Sequence, residues 1–235
     1  PHLIIHYNTQ FKSISKRENG WDISFVTGGK TTHLSGAVVI DGTENGDVIP
    51  LVGAEFNVGM DAQSDTGEKE APKNSNSIVQ DLTYTIILKD LGRDAKQNEL
   101  LTMHPSYEAS LFECACRLPG SDTPKGVVDH IQMLDYAKLP GNKYLINWPN
   151  CGNDYFLDWP NMPLDEVQKG ILEAKQHSLN FVYYIQHELG FKNLVVHNEF
   201  GTDDSFPWIP YHRESRRLKG LVQLTVNEVR NPYAH

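Results

Sequence analysis

The sequence predicts an α/β fold class, with α+β character in its central part. Three observations carry that expectation. Two alternating runs, residues 21–26 and 30–40, flank a Gly-Gly turn. The apolar run Val38-Val39-Ile40 ends in Asp41 and gives way to small and acidic residues, then to a second apolar segment. A stripe of apolar residues recurs at helical spacing over about 164–189.

The first run, Trp21-Asp22-Ile23-Ser24-Phe25-Val26, and the second join through Thr27-Gly28-Gly29, which predicts a β-hairpin. With residues 2–15 it makes a small antiparallel meander feeding a buried strand at 37–41. That strand turns sharply into a helix over 48–53, with Asp47 placed to cap it. Residues 61–77 are polar and rich in Ser, Asn, Gly and Pro, so they form a loop or linker. Gln80 to Leu88 alternate again and predict a strand of a second domain. His104-Pro105 and Leu118-Pro119-Gly120 mark breaks, and Val127 to Lys138 reads as a helix. The clearest helix spans about 164–189, with Val167, Ile171, Ala174, Ser178, Phe181, Ile185 and Leu189 on one stripe. Pro163 suits its start and Gly190 its stop. Phe191 to Val196 follows as a short buried strand. Arg216 to Val226 looks extended, and Thr225 with Glu228 has the form of a capping box for a last helix.

The chain has 235 residues, 39% hydrophobic and 22% charged, enough for one large or two small domains with a core. Its net charge of −9 argues against a nucleic-acid partner. No apolar run approaches the roughly 20 residues of a membrane span. The three cysteines, Cys114, Cys116 and Cys151, read as buried free thiols rather than a disulfide framework. They leave the compartment open. His187-Glu188 lacks the second histidine of a zinc protease, since position 191 is Phe191. No other histidine has ligand spacing, so no metal site is expected. Gly29-Lys30-Thr31 is not a phosphate loop, because the earlier glycine it needs is Ser24.

Three stretches carry candidate chemistry. A strand-to-helix turn at Asp41-Gly42-Thr43-Glu44-Asn45-Gly46-Asp47 offers free backbone N–H groups, which suit a phosphate. The segment His212-Arg213-Glu214-Ser215-Arg216-Arg217 is polar on both faces of a strand and reads as a buried ionic network. The third stretch sets Trp148, Tyr155, Phe156 and Trp159 among Asn147, Asn150, Asn153 and Asp154. Loop packing explains it better than a sugar-stacking surface, though the latter supplies a rival function: a carbohydrate-active lyase or sugar-binding module.

The first two stretches together resemble the FAD-dependent oxidoreductases whose flavin domain has a strand ending in Asp-Ala-Thr-Gly or Asp-Ala-Thr-Glu, then Gly-Asp. Here these are Asp41-Gly42-Thr43-Glu44 and Gly46-Asp47. The Arg-Glu-Ser-Arg-Arg element of the family is Arg213 to Arg217. Asn147-Trp148-Pro149, Asn153-Asp154-Tyr155 and Glu188 to Leu194 resemble family signatures as well, so the resemblance runs over nearly the whole chain. It implies FAD as cofactor, a small-molecule substrate and hydride transfer to flavin. It implies cofactor contacts at Asp41, Gly42, Thr43 and Gly46. It implies a cation near the flavin at Arg213 and Arg216, with His212 for proton transfer. It also implies a meander and one strand of a flavin domain in residues 1–60, a mixed-sheet substrate or cap domain with helices in 61–210, and a return to the flavin domain in 211–235. The Gly-x-Gly-x-x-Gly fingerprint of such domains is absent. The chain therefore reads as an internal piece of a longer polypeptide, running from Pro1 to Tyr233-Ala234-His235, that does not retain FAD alone and is inactive by itself.

Overall fold

A computed structural model describes residues 3–117 and 128–233. The break at Leu118-Pro119-Gly120 and the start of the 127–138 helix at Val127 lie outside the described residues, as do both chain ends. In chain order come strands β1 (Thr9–Arg17), β2 (Gly20–Thr27), β3 (Lys30–Gly36) and β4 (Phe56–Asn57), then the single-turn helix α1 (Gln63–Thr66). Next are β5 (Leu82–Thr83), β6 (Ile86–Asp90), helix α2 (His130–Asp135), β7 (Lys138–Leu139), β8 (Lys143–Ile146) and β9 (Asp154–Tyr155). The long helix α3 (Leu164–His187), β10 (Leu194–Val196), β11 (Arg217–Leu218) and helix α4 (Val226–Arg230) complete the order. Helices combined with antiparallel ladders make the fold α+β. The chain divides into two compact units, Pro1–Val79 with Glu214–His235, and Gln80–Arg213. No described helix is long and apolar enough to cross a membrane.

In the first unit β1, β2 and β3 form the meander. Gly28 and Gly29 have φ of 56° and 78°, the left-handed pair that a two-residue hairpin turn requires. Thr27 then faces Lys30 and Val26 faces Thr31. The strand expected at 37–41 does not form. β3 ends at Gly36 opposite Trp21, and β2 begins one residue earlier, so residues 37–41 run past the end of their partner. Val38 and Ile40 are 76% and 88% exposed. The helix expected over 48–53 shrinks to a 3-10 turn, Pro50–Val52, closed by Gly53 at φ 70°. Asp47 does not cap it: the first turn has no side-chain cap, and Val48 N–H donates instead to Asp41 Oδ2 at 3.0 Å. The extended run expected over 216–226 is ordered as strand only in β11, which pairs with β4. The capping box at Thr225 and Glu228 is present at the start of α4.

The second unit is built on a sheet of order β10-β6-β8-β7, each ladder antiparallel. Ile86, Ile87 and Leu88 are buried on both faces of its central strand β6. The alternation read from Gln80 to Leu88 is broken between β5 and β6, since β5 leaves the main sheet to pair with β9. Helix α3 lays Ala174, Ser178, Phe181 and Ile185 into the core with Tyr84, Phe112 and Phe206. Ser178 Oγ donates to Tyr84 O at 2.8 Å, so a polar residue on the apolar stripe stays satisfied. Gln186 does the same, accepting from Leu101 N–H at 3.0 Å and donating to Leu194 O at 2.7 Å. Gly190 at φ 81° ends this helical stretch. The expectation of free thiols is wrong for two of the three cysteines. Cys114 and Cys151 form a disulfide, and Cys116 alone is free and buried. The fold brings together two loops far apart in sequence, which cysteine spacing cannot reveal.

Candidate functional site

The Asp41 turn is held by its own acid. Asp41 Oδ1 accepts from Thr43 N–H at 2.9 Å and from Thr43 Oγ1 at 2.7 Å, and Oδ2 accepts from Val48 N–H. Thr43 Oγ1 in turn accepts from Asp47 N–H at 2.8 Å. Burial opposes ionisation of Asp41, but the bonds from Thr43 and Val48 and the charge of Arg216 outweigh it and hold its carboxyl below the usual value. Gly46 sits at φ 62°, where a Cβ would meet Ile49 Cδ1 at 2.7 Å.

Arg216 completes this turn within the same unit. Its Nη1 donates to Asn45 O at 2.9 Å and to Asp47 Oδ1 at 3.0 Å, and its guanidinium lies 5.9 Å from the centre of the Phe56 ring. Asp41, Thr43, Gly46 and Arg216, chosen from two distant stretches, are thereby brought together. Gly42 lies in the same turn, and a Cβ there would meet nothing within 4 Å. Arg216 pairs with Asp47 at 3.0 Å, and Glu214 pairs with Arg217 at 3.0 Å.

His212 and Arg213 belong to the second unit. No strand covers 212–216, so the alternation of two polar faces does not arise. Tyr211 bridges to Thr83, which leaves His212 buried and stacked on Trp159 at 5.8 Å between ring centroids. Arg213 is exposed, its guanidinium 5.4 Å from the centre of the Tyr211 ring. The aromatic stretch serves packing. Trp148 Nε1 donates to Ala115 O at 2.7 Å, and fully buried Asn153 bonds Tyr84 O, Ile146 O and Trp148 N–H. No observation here favours the carbohydrate-active reading.

Sequence reasoning missed Asp61 and, though it included Arg217 in the polar stretch 212–217, gave it no role of its own. Asp61 accepts from Asn57 Nδ2 at 2.8 Å and Gln223 Nε2 at 3.0 Å, and pairs with Arg217 at 3.1 Å. Arg217 also donates to Gly59 O at 2.5 Å. This network lies in the first unit, along a cleft of about 900 Å³ lined by Asn57, Asp61, Asn76, Arg217, Lys219 and Gln223 among others. The signal for Arg217 was its place in the polar stretch 212–217; Asp61 lay at the edge of a stretch that reads as linker.

The sequence profile of a family described as FAD dependent oxidoreductase matches residues 1–235. The chain belongs to that family. No curated protein matches it, and no solved structure does. Membership implies FAD as the cofactor of the protein these residues serve. The dinucleotide part of FAD does not fit the residues present. Its pyrophosphate needs a glycine-rich turn with open backbone at a helix N-terminus. Here no Gly-x-Gly-x-x-Gly occurs, and although the space beside Gly42 is open, that beside Gly46 is filled by Ile49 Cδ1 and that beside Gly59 by Asn76 O. The one long helix among the described residues, α3, opens with Asp165 and Glu166, which repel an anion. Among the described residues no group of three or more His, Cys, Asp or Glu side chains could hold a metal ion.

Proposed function

We propose that these residues serve an FAD-dependent oxidation in which hydride passes from a small organic or carbohydrate-like substrate to the flavin. The supporting observation is the junction of the Asp41–Asp47 turn with Arg216 inside one compact unit, in a chain that matches an FAD-dependent family from end to end. In this reading the flavin-side segments, 1–60 and 211–235, make up most of the first unit, and the substrate or cap domain, 61–210, most of the second. Asp41, Gly42, Thr43 and Gly46 lie toward the cofactor, whose pyrophosphate is held by residues outside this stretch. Arg216 and Arg213 supply cations and His212 carries a proton. Of these three, Arg216 has the geometric support, through its two bonds to the turn. The cleft beside Arg217 takes the substrate. Its lining balances Asp61 and Asp65 against Arg217 and Lys219 and adds amides, which suits a neutral polar molecule.

The test uses a polypeptide that contains these residues and retains flavin. Arg216→Ala is expected to slow flavin reduction in stopped flow about a hundredfold while FAD content holds, since losing one contact to developing charge costs on the order of 3 kcal/mol. Unchanged reduction with a lowered melting temperature makes Arg216 a junction residue and ends its assignment to the site. Residues 1–235 alone are expected to leave gel filtration without flavin absorbance, and a yellow eluate would contradict the division of labour stated above.

A further inference from the structure

We propose that the Cys114–Cys151 disulfide is a native structural cross-link, and that the protein matures in an oxidising compartment rather than a reducing cytosol. The two sulfurs come from loops that other contacts already fix. On one side Phe112, Ala115 and Cys116 are buried, and Ala115 O accepts from Trp148 Nε1. On the other, Asn153 ties the loop after β8 to the core, and Gly152 O lies 3.0 Å from His177 Nε2. These contacts set the two Cα atoms 5.6 Å apart, within the ordinary span of a bridge. The bond does not have to pull the loops together, so it closes wherever an oxidant is at hand.

The backbone at Cys151 supplies a second, independent observation. Its φ is 51°, in the left-handed region that suits glycine and strains a residue with a β-carbon. The next residue, Gly152, is a glycine for a different reason: a Cβ there would meet Trp148 O at 2.1 Å. The turn therefore has glycine where space demands it and cysteine where the backbone would prefer glycine. Strain of this kind persists where the side chain is needed, and the sulfur that reaches Cys114 is that need.

The third cysteine does not compete. Cys116 is 2% exposed, and burial, helped by the charge of Asp129, pushes its thiol up to about 11, so it stays protonated and unreactive. Cys114 is exposed, where a disulfide donor can reach it. In the closing reaction the thiols of Cys114 and Cys151 give up two protons and two electrons and the S–S bond forms. A dithiol–disulfide oxidant of the compartment accepts the electrons as its own disulfide opens to two thiols. Cytosolic thiol pools run this exchange in reverse, which is why a structural disulfide points to an oxidising compartment.

The experiment traps thiols in cells of the source organism by acid quench and maleimide labelling, after separating cytosolic from extracytoplasmic material. The expected result is an extracytoplasmic protein in whose digest Cys116 carries the label and Cys114 and Cys151 appear as a cross-linked peptide. Label on Cys114 and Cys151 as well as Cys116 overturns the proposal, and so does a cross-link that contains Cys116. A cytosolic protein with the Cys114–Cys151 bond overturns the compartment. On the purified full chain, reduction is expected to lower the melting temperature by about 10 °C. Cys151→Gly should lose less than Cys151→Ala, because glycine relieves the backbone at that position. A melting temperature that does not respond to reduction overturns the structural role.

Discussion

Asn153 shows how much one side chain can hold. Fully buried, it accepts from Trp148 N–H at 2.8 Å and donates to Tyr84 O and Ile146 O at 3.2 and 3.1 Å. Asn153→Ala takes a partner from three backbone groups, of which Tyr84 O keeps Ser178 Oγ as a donor, so at on the order of 1 kcal/mol for each group left unpaired urea unfolding should show a loss of about 2 kcal/mol. A loss under about 1 kcal/mol would mean that water replaces the amide. His177 has a different signature. Burial lowers its pKa below the ordinary 6.5, against the opposing effects of the Gly152 carbonyl and Asp154. The unfolded chain therefore takes up its proton first as pH falls, so the stability it contributes is complete above about 6.5 and is lost below it. The depressed carboxyls Asp41, Asp90, Glu99 and Asp204 act only below their ordinary values of 3.8 to 4.5. Asp154, raised by burial, has the opposite slope. Melting temperatures from pH 7 to 5 should fall, and His177→Gln should flatten the decline; an unchanged slope would assign it to another group. At this scale the sequence disclosed the acid of the turn and the arginine that meets it, because short polar motifs stand out. It did not disclose Asp61, whose partners come from both ends of the first unit.

Helix α3 was legible in full, since its stripe repeats over 24 residues and both ends carry punctuation. Its Gly170 is informative because it breaks the usual rule. Alanine normally gains up to about 1 kcal/mol over glycine inside a helix. Here a Cβ at 170 would meet Leu157 Cδ1 at 2.3 Å, and Leu157 is 6% exposed. Gly170→Ala should therefore destabilise by about 1–3 kcal/mol, and adding Leu157→Ala should make the alanine at 170 harmless or favourable. Thermal melts of the two singles and the double decide it, and a stabilised Gly170→Ala single would refute the clash. The hairpin was equally readable from Gly28-Gly29. The strand at 37–41 was misread because an apolar run shows only that a segment could be buried. Whether it becomes a strand depends on a partner, and β2 begins too late to provide one. The short strands β4, β5, β9 and β11, two residues each, fall below what periodicity can resolve.

The first unit is discontinuous: it needs both the chain before 80 and the chain after 213, whereas the second is a single unbroken stretch. Within the first unit Arg216 reaches Asp47, Arg217 reaches Asp61, Val226 N–H reaches Glu68, and Arg230 reaches Glu70. A chain ended at residue 213 should accordingly keep protease protection across α3 and the β10-β6-β8-β7 sheet while being cut within 55–79. Protection of 55–79 in that truncation would show that the first unit closes without its distal segment. The same discontinuity orders events in time. On a ribosome adding roughly 5–20 residues per second, residues 55–79 wait on the order of ten seconds or more for β11 to emerge. The later-made second unit has all its partners before then. Synthesis order and folding order are thus inverted, and for that interval the nascent chain exposes Phe56, the acids Asp61 and Glu70 without the arginines that will pair with them, and Glu68 without the Val226 N–H it will accept from.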